Sequence, residues 1–92
     1  MPRHVSLKVY EQDATTYIAE FSLPAASHVG LSVYNPMGRA ITSLADGDYR
    51  AGRHVIRWQL DDAQGNQLPS GAYLLRLKTD HGSASGTAVI VR

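Results

Sequence analysis

The sequence predicts an all-β fold, an antiparallel β-sandwich of about seven short strands with little or no helix. Apolar and polar residues alternate with a period of two along most of the chain, as they do in strands that have one buried face. Turn-forming Gly, Pro, Asn and Asp residues interrupt this alternation at short intervals. No window carries the apolar stripe of an amphipathic helix, which repeats about every 3.6 residues.

The first three predicted strands each carry one continuous apolar face. Their inward residues are, strand by strand, Val5, Leu7 and Val9, then Tyr17, Ala19, Phe21 and Leu23, then Val29, Leu31 and Val33. After the third strand, the residues YNPMGR predict a type I turn. In such a turn Asn35 accepts hydrogen bonds from nearby backbone amides, Pro36 presets φ, and Gly38 takes a positive φ.

The second half of the chain continues the pattern with four more strands. In segment 39–44, Ile41 and Leu44 break strict alternation, which predicts a short edge strand or a bulge. The turn signals of this half are Asp46-Gly47, Ala51-Gly52, Gly82 and Gly86. The inward residues predicted for the last three strands are Ile56, Trp58 and Leu60, then Tyr73, Leu75 and Leu77, then Thr87, Val89 and Val91, with Ala88 and Ile90 opposite. Changing Val89 and Val91 to Asp is therefore expected to unfold the domain.

The stretch RWQLDDAQGNQLPSGAY, residues 57–73, is compatible with a metal loop, an active-site loop or two strands joined by turns. A calcium loop spaces its oxygen ligands at alternate positions and ends on an acidic residue, whereas Asp61 and Asp62 are adjacent and no Glu follows. Aspartates capping turn amides, with Gly65 at a positive φ, explain the stretch more simply. The four histidines are scattered and have no zinc-ligand spacing. We therefore predict no metal site and no cofactor.

Composition indicates one small folded domain, residues 1–92, with a single modest core. The net charge of +1 gives no electrostatic reason to expect nucleic acid as a partner, and no apolar run reaches the roughly 20 residues that insert across a membrane. There is no cysteine, and the N-terminus lacks the features of a signal peptide. A start directly on strand-like sequence fits a module of a longer precursor, and we expect it to be the C-terminal module of a larger secreted protein.

Catalytic signatures are missing, since the chain has no nucleophile elbow, phosphate-binding glycine loop or HExxH helix. We therefore predict that it is not an enzyme and has no catalytic residues. The aromatic residues Tyr10, Tyr34, Tyr49 and Trp58 could form a platform for sugar rings. This leaves an accessory polysaccharide-binding or spacer module of a secreted glycoside hydrolase as an alternative. Trp58 shares a predicted face with Ile56, which favours the core instead.

Strands of this number and length, with these turns, are typical of an immunoglobulin-like sandwich. An ordered set of motifs narrows the comparison: Leu23-Pro24, Val33-Tyr34-Asn35 with Gly38-Arg39, Ala51-Gly52 with His54, Ile56 and Trp58, Asp62 with Gly65, Ser70-Gly71 with Tyr73, and Val89, Ile90, Val91 and Arg92. This set resembles the FlgD-type Ig-like domain and the related C-terminal type A sorting domains of secreted bacterial proteins. Trp58-Gln59-Leu60 departs from the W-D-G of many relatives.

The resemblance implies a secretion and cell-surface sorting module that proteins of the type IX outer-membrane machinery recognise, carried on an exported precursor. Its recognition residues are expected at the end of the last strand, at Thr87, Val89, Val91 and Arg92. Changing Arg92 to Glu is expected to affect recognition with little loss of stability. The basic residues Arg50, Arg53, Arg57 and Arg76 are expected to share an outward face, where Arg53 and Arg57 lie opposite Trp58 on one strand and offer a second docking surface. A scaffold role like that of the hook-capping protein is a further possibility of the same resemblance, but we expect that role to require disordered assembly segments that are absent from these residues.

Overall fold

The computed structural model describes residues 4–92, and seven strands account for nearly all of this part of the chain. They are β1 (Ser6–Asp13), β2 (Thr16–Leu23), β3 (Ser27–Tyr34), β4 (Ala40–Tyr49), β5 (Gly52–Trp58), β6 (Gly71–Thr79) and β7 (Gly82–Ile90). They form a three-stranded sheet in the order β1-β2-β5 and a four-stranded sheet in the order β4-β3-β6-β7. Every pairing is antiparallel. The predicted all-β sandwich of seven strands is confirmed, and no helix in residues 4–92 is long and apolar enough to cross a membrane.

The core lies between the two sheets and is built from the alternate residues that the sequence predicted for the inner strands. The fully buried side chains include Phe21, Leu23, Val29, Leu31, Val33, Leu75 and Leu77. Trp58 and Tyr73 meet edge to face in this core, with ring centroids 6.3 Å apart. The inward row of β1, at Leu7 and Val9, is only partly buried and closes the core at one side.

The predicted inner face of β7 is wrong. Val89 is 55% exposed and Val91 is 85% exposed, whereas Ala88 is fully buried and Ile90 is 3% exposed. The reason is the register with β6, where the buried Tyr73 lies opposite Ala88 and therefore turns Ala88 inward. Because side-chain direction alternates along a strand, this pairing sends Val89 to solvent. The expectation that Asp at positions 89 and 91 unfolds the domain falls with it.

Two predicted turns are also wrong, since Asp46-Gly47 lies inside β4 and Gly86 lies inside β7. Strand pairing overrides the turn preference of glycine at both places: Gly47 lies opposite Val29, and Gly86 lies opposite Leu75. The prediction for the segment containing Ile41 is confirmed, because β4 is an edge strand whose register with β3 shifts twice.

Two turns of the molecule have the same set of hydrogen bonds. Asn35 Oδ1 accepts from the amides of Met37 and Arg39 at 3.0 and 2.9 Å, and Gly38, at φ 85°, donates to the Asn35 carbonyl. Asp62 Oδ1 accepts from the amides two and four residues on, both at 2.9 Å, and Gly65, at φ 84°, donates to the Asp62 carbonyl. Both turns were predicted, because an Asx side chain and a glycine at these spacings act locally.

The turn at Asp62 lies within the loop between β5 and β6, and contacts with the core hold this loop in place. The indole N–H of Trp58 donates to the Asp61 carbonyl at 3.0 Å, and the Leu68 amide donates to the Leu60 carbonyl at 3.1 Å. Leu60 has a φ of 59°, in the left-handed region that costs a leucine about 1–2 kcal/mol. Its side chain is only 2% exposed, so burial offsets the strain. The conformation of this loop is therefore explained by its turn hydrogen bonds and by the burial of Leu60 in the core.

Candidate functional site

The candidate site is the outer edge of β7. Sheet edges present unpaired backbone groups, and proteins usually protect them with bulges, charges or proline. Among the four edge strands, β1 and β4 have register shifts, and β5 carries Arg53 and Arg57. Strand β7 pairs with β6 without a shift from Thr79↔Gly82 to Gly71↔Ile90, and its residues GSASGTAVI include no charge and no proline. It is therefore the edge of this sandwich with the least protection.

The outward backbone groups of β7 follow from the register. The Tyr17 hydroxyl, from the other sheet, donates to the Val89 carbonyl at 2.7 Å, so this carbonyl faces away from β6. In an antiparallel pair, residues with outward and inward backbone groups alternate. The groups of Ser83, Ser85 and Thr87 therefore also face outward. Closure of the β6–β7 hairpin by the pair Thr79↔Gly82 gives the same alternation.

The side chains of these residues form an exposed row on the outer face of the four-stranded sheet. Along the sheet, Ser83 lies opposite Lys78, Ser85 opposite Arg76, Thr87 opposite Leu74 and Val89 opposite Ala72. A shallow groove of about 290 Å³ follows the first half of this row, between Arg76 and residues 83–85. A second groove of about 400 Å³ lies beyond Leu74 on β6 and β3, and it is lined by Tyr34 and Pro36 as well as by Arg76. Directly behind the edge, the row of β6 is therefore cationic at Lys78 and Arg76 and apolar at Leu74 and Ala72.

The inner side of β7 packs against β1. A Cβ atom at Gly86 would lie 2.7 Å from Cγ2 of Val9, closer than side chains approach. Glycine at this position therefore lets β1 come close enough to close the sandwich. The conformational reason expected from the sequence, a turn, is replaced by a steric one.

The residues beyond β7 are anchored. The amide of Arg92 donates to the Ser70 hydroxyl at 2.8 Å, and Arg92 Nε donates to the Leu68 carbonyl at 2.5 Å. Arg92 thus ties the end of the chain to the loop before β6, whereas Val91 is exposed. The sequence did not show this anchor, because it joins residues far apart in the chain.

The predicted basic face is divided between the two sheets, which corrects the expectation that its four arginines share one surface. Arg53 and Arg57 do lie on the outer face of β5, opposite the buried Trp58. Arg76 lies on β6, across the thickness of the sandwich. Arg57 is opposite Ile18, which is only 5% exposed although it is on the outer face. Arg53 is 3.9 Å from Glu20. Arg53 and Arg57 both lie on β5, at the far edge of the three-stranded sheet from β1, and β1 is the strand that packs against β7. Neither arginine is therefore near the edge of β7.

The predicted aromatic platform is not formed. Trp58 is 2% exposed, and Tyr49 is half-buried in contact with Phe21 and His54. Tyr10 and Tyr34 lie on β1 and β3, which belong to different sheets. Within residues 4–92, no group of three or more His, Asp or Glu side chains is placed to hold a metal ion.

Asp62, a candidate ligand of the metal-loop interpretation, is used within its own turn. The backbone amide of Asn66 lowers the pKa of Asp62 below its usual value, desolvation opposes this effect, and a hydrogen bond from the Gln64 amide adds to the lowering. Hydrogen bonds from Thr15 lower the pKa of Asp13 in the same way, at the turn between β1 and β2. Both carboxylates stabilise turns, and neither borders the edge of β7.

Comparisons with known proteins identify a family and a solved structure that this chain is similar to. The sequence profile of the FlgD Ig-like domain matches residues 6–83. The crystal structure of FlgD from P. aeruginosa matches with a TM-score of 0.66 and 27% sequence identity, over 88% of this chain and 65% of that chain. The chain therefore spans less than two thirds of that FlgD. No curated protein matches it. The profile match ends just inside β7, so most of the candidate edge lies beyond it.

Proposed function

This chain belongs to the FlgD Ig-like domain family, and from that premise we propose that it is a non-catalytic docking module that binds protein partners through the edge of β7. One observation carries the proposal: β7 presents a regular, uncharged edge, while the other edges are bulged or charged. Partner strands commonly add to such edges, because the unpaired main-chain groups supply hydrogen bonds.

The biological role that we propose for this docking is sorting. The domain would direct an exported precursor through the type IX outer-membrane machinery to the cell surface or the medium. Of the predicted recognition residues, Thr87 and Val89 lie on the exposed row of β7. Arg92 is held against the preceding loop, so we assign it an anchoring contribution in addition to any contact with a partner.

An export assay tests this role. Residues 1–92 are fused behind a signal peptide and a fluorescent reporter, in a host that has the type IX machinery and in one that lacks it. We expect the reporter outside the cell only when the machinery is present. Changing Thr87 to Pro removes an outward amide and should abolish export, whereas Thr87→Val keeps the amide and should not. Periplasmic retention of the folded fusion in both hosts would contradict the sorting role.

A scaffold role is the second candidate, and the match to the FlgD structure at 27% identity over 88% of this chain favours it. The edge of β7 would then bind another component of the assembly. Replacing the matching part of the P. aeruginosa FlgD by this chain tests the scaffold role. We expect a functional hybrid if the scaffold role is correct and an inactive but folded hybrid if it is not.

A further inference from the structure

We propose that the strand which adds to β7 carries acidic side chains opposite Ser83 and Ser85 and apolar side chains opposite Thr87 and Val89. This inference rests on the proposed docking function and names the chemistry of the partner. It follows from the residues of β6 and β3 that lie behind the edge.

The backbone of β7 determines where the partner strand pairs. The outward groups of Ser83, Ser85 and Thr87 lie along one edge without a register shift. The Val89 carbonyl already accepts from the Tyr17 hydroxyl, so the open segment ends there. Neighbouring strands lie about 4.8 Å apart, and the side chains of a new strand would therefore continue the rows of the four-stranded sheet.

The half of the edge at Ser83 and Ser85 favours carboxylates on the added strand, because cationic side chains lie behind it. Lys78 and Arg76 lie on the exposed face of β6, directly behind Ser83 and Ser85. Serine side chains are short, and the groove of about 290 Å³ leaves room for the long side chain of Arg76 to reach across β7. Among the residues described in this structure, no carboxylate forms a salt bridge with either cation. Acidic side chains on the added strand would therefore meet unpaired positive charge.

The other half of the edge calls for apolar side chains. Leu74 is 41% exposed behind Thr87, and Val89 is 55% exposed at the end of the row. Tyr34 lies opposite Leu74 on β3, and both side chains line the groove of about 400 Å³, which Arg76 also lines. An apolar side chain opposite Thr87 would extend this surface and remove it from water.

A second copy of β7 does not fit this chemistry. Its outer row is Ser83, Ser85, Thr87 and Val89, which contains no carboxylate. Two copies pairing edge to edge would leave Lys78 and Arg76 of both without acidic partners. Charge complementarity therefore favours a different chain with an alternating acidic and apolar strand.

Peptide binding tests the inference directly. The probe is Val-Thr-Val-Thr-Glu-Thr-Glu, written for antiparallel addition to β7, and its matched control has Lys in place of both Glu residues. Two-dimensional NMR of the full chain detects weak complexes and resolves individual amides. We expect the probe to shift the outward amides of Ser83, Ser85 and Thr87 more than the ladder amides of Ala84, Gly86 and Ala88. We expect it to bind about tenfold more tightly than the control, since two charge attractions that reach across β7 to Arg76 and Lys78 replace two repulsions.

Charge reversal makes the test specific. The double variant Arg76→Glu, Lys78→Glu changes exposed side chains only, so it should fold, and we expect it to prefer the lysine peptide. Equal binding of both peptides to the unaltered chain, or an unchanged preference in the double variant, would overturn the proposed chemistry. A concentration-dependent dimer that Thr87→Pro abolishes, together with no peptide binding, would assign the edge to a second copy and would also overturn it.

The peptide and export experiments can fail separately. If the peptide binds as expected but Thr87→Pro leaves export unchanged, the chemistry of the edge stands and the use of this edge in sorting is ruled out. If Thr87→Pro abolishes export but neither peptide binds, the sorting role stands and the acidic and apolar pattern is wrong.

Discussion

The edge strands β5 and β7 both expose a regular backbone at the edge of a sheet, but the side chains beside that backbone differ. Each pairs with its neighbour without a register shift, β5 with β2 and β7 with β6. The exposed row of β5 is Arg53, Val55 and Arg57, whereas the exposed row of β7 is Ser83, Ser85, Thr87 and Val89. A strand that added to β5 would have to accommodate two exposed arginines. A strand that added to β7 would meet only small, uncharged side chains.

Under the proposed docking, this difference directs association to one side of the fold. A regular edge has the geometry to accept another strand, so its side chains decide whether pairing is favourable. On β5 the exposed arginines oppose the addition of another strand unless the side chains of that strand can accommodate them. On β7 the charges lie one strand inward, at Arg76 and Lys78, where under the proposed docking they would select a partner without blocking the backbone.

The largest effect should come from the inner row of β7. Ile90 is 3% exposed, so Ile90→Asp places an unpaired carboxylate in the core and should cost more than about 4 kcal/mol of unfolding free energy. Val89→Asp, on the exposed row, should cost less than about 1 kcal/mol. Urea unfolding of both variants measures the contrast. Equal losses would mean that the outer row is not free for docking.

Gly86 should give the next largest effect, because its lack of a side chain lets β1 pack closely against the inner side of β7. Gly86→Ala brings a Cβ to within 2.7 Å of Val9 and should cost about 1–3 kcal/mol. The same change in a Val9→Ala background should cost less, since the clashing methyl group is gone. Gly30→Ala is the control, because nothing lies within 4 Å of its added Cβ. A loss that is independent of Val9 would contradict the steric explanation.

Exchanging the protection of the two edges should change association with little change in stability. Thr87→Lys on β7 should weaken binding of the peptide probe in NMR titrations, because it places a charge opposite an apolar side chain, and the pair Arg53→Ser, Arg57→Thr should open β5 to association. Each protein should keep its unfolding free energy within about 0.5 kcal/mol per substitution, because all the sites are exposed. Light scattering after size-exclusion chromatography measures association. An unchanged β5 variant would show that its arginines do not guard the edge.

The smallest effect should come from the turn that follows β5. The pKa of Asp62 is lowered in the folded chain, chiefly by the Asn66 amide, so the unfolded chain takes up its proton more readily. The contribution of Asp62 is therefore complete above the unfolded pKa of about 3.9 and is lost as pH falls through the lower folded value. Asp62→Asn, which copies the Asn35 turn, should remove this part of the acid destabilisation and leave the part due to Asp13. Unfolding free energies measured between neutral and acid pH test the difference. An unchanged pH dependence would mean that the turn does not use the charge.

Much of this fold could be read from the sequence because its signals are local. The Asx turns at Asn35 and Asp62 depend on side chains bonding to amides two and four residues away. The inner rows of β3 and β6 stand out because they are largely apolar, whereas the outer rows include polar or charged residues such as Ser32, Arg76 and Lys78. Such signals need no knowledge of what lies across the sheet.

The open edge could not be found in the same way. The sequence predicts turns at Gly82 and Gly86, and nothing within this segment of small residues shows that it pairs with β6. A long run of small, uncharged residues before a predicted final strand was the only available signal. It gains its meaning from the charged or bulged state of the other edges, which is a property of the assembled sheets.

By itself the sequence determined the all-β class, the number of strands and the Asx turns at Asn35 and Asp62, because alternation and turn chemistry act over a few residues. Only the tertiary structure decided which row of β7 faces inward, since both of its rows contain apolar side chains and the register opposite Tyr73 chooses Ala88. It also decided that Arg76 lies in the other sheet from Arg53 and Arg57. Side-chain direction within a strand is a local property, whereas the partner of a strand and its sheet are set by contacts between distant segments.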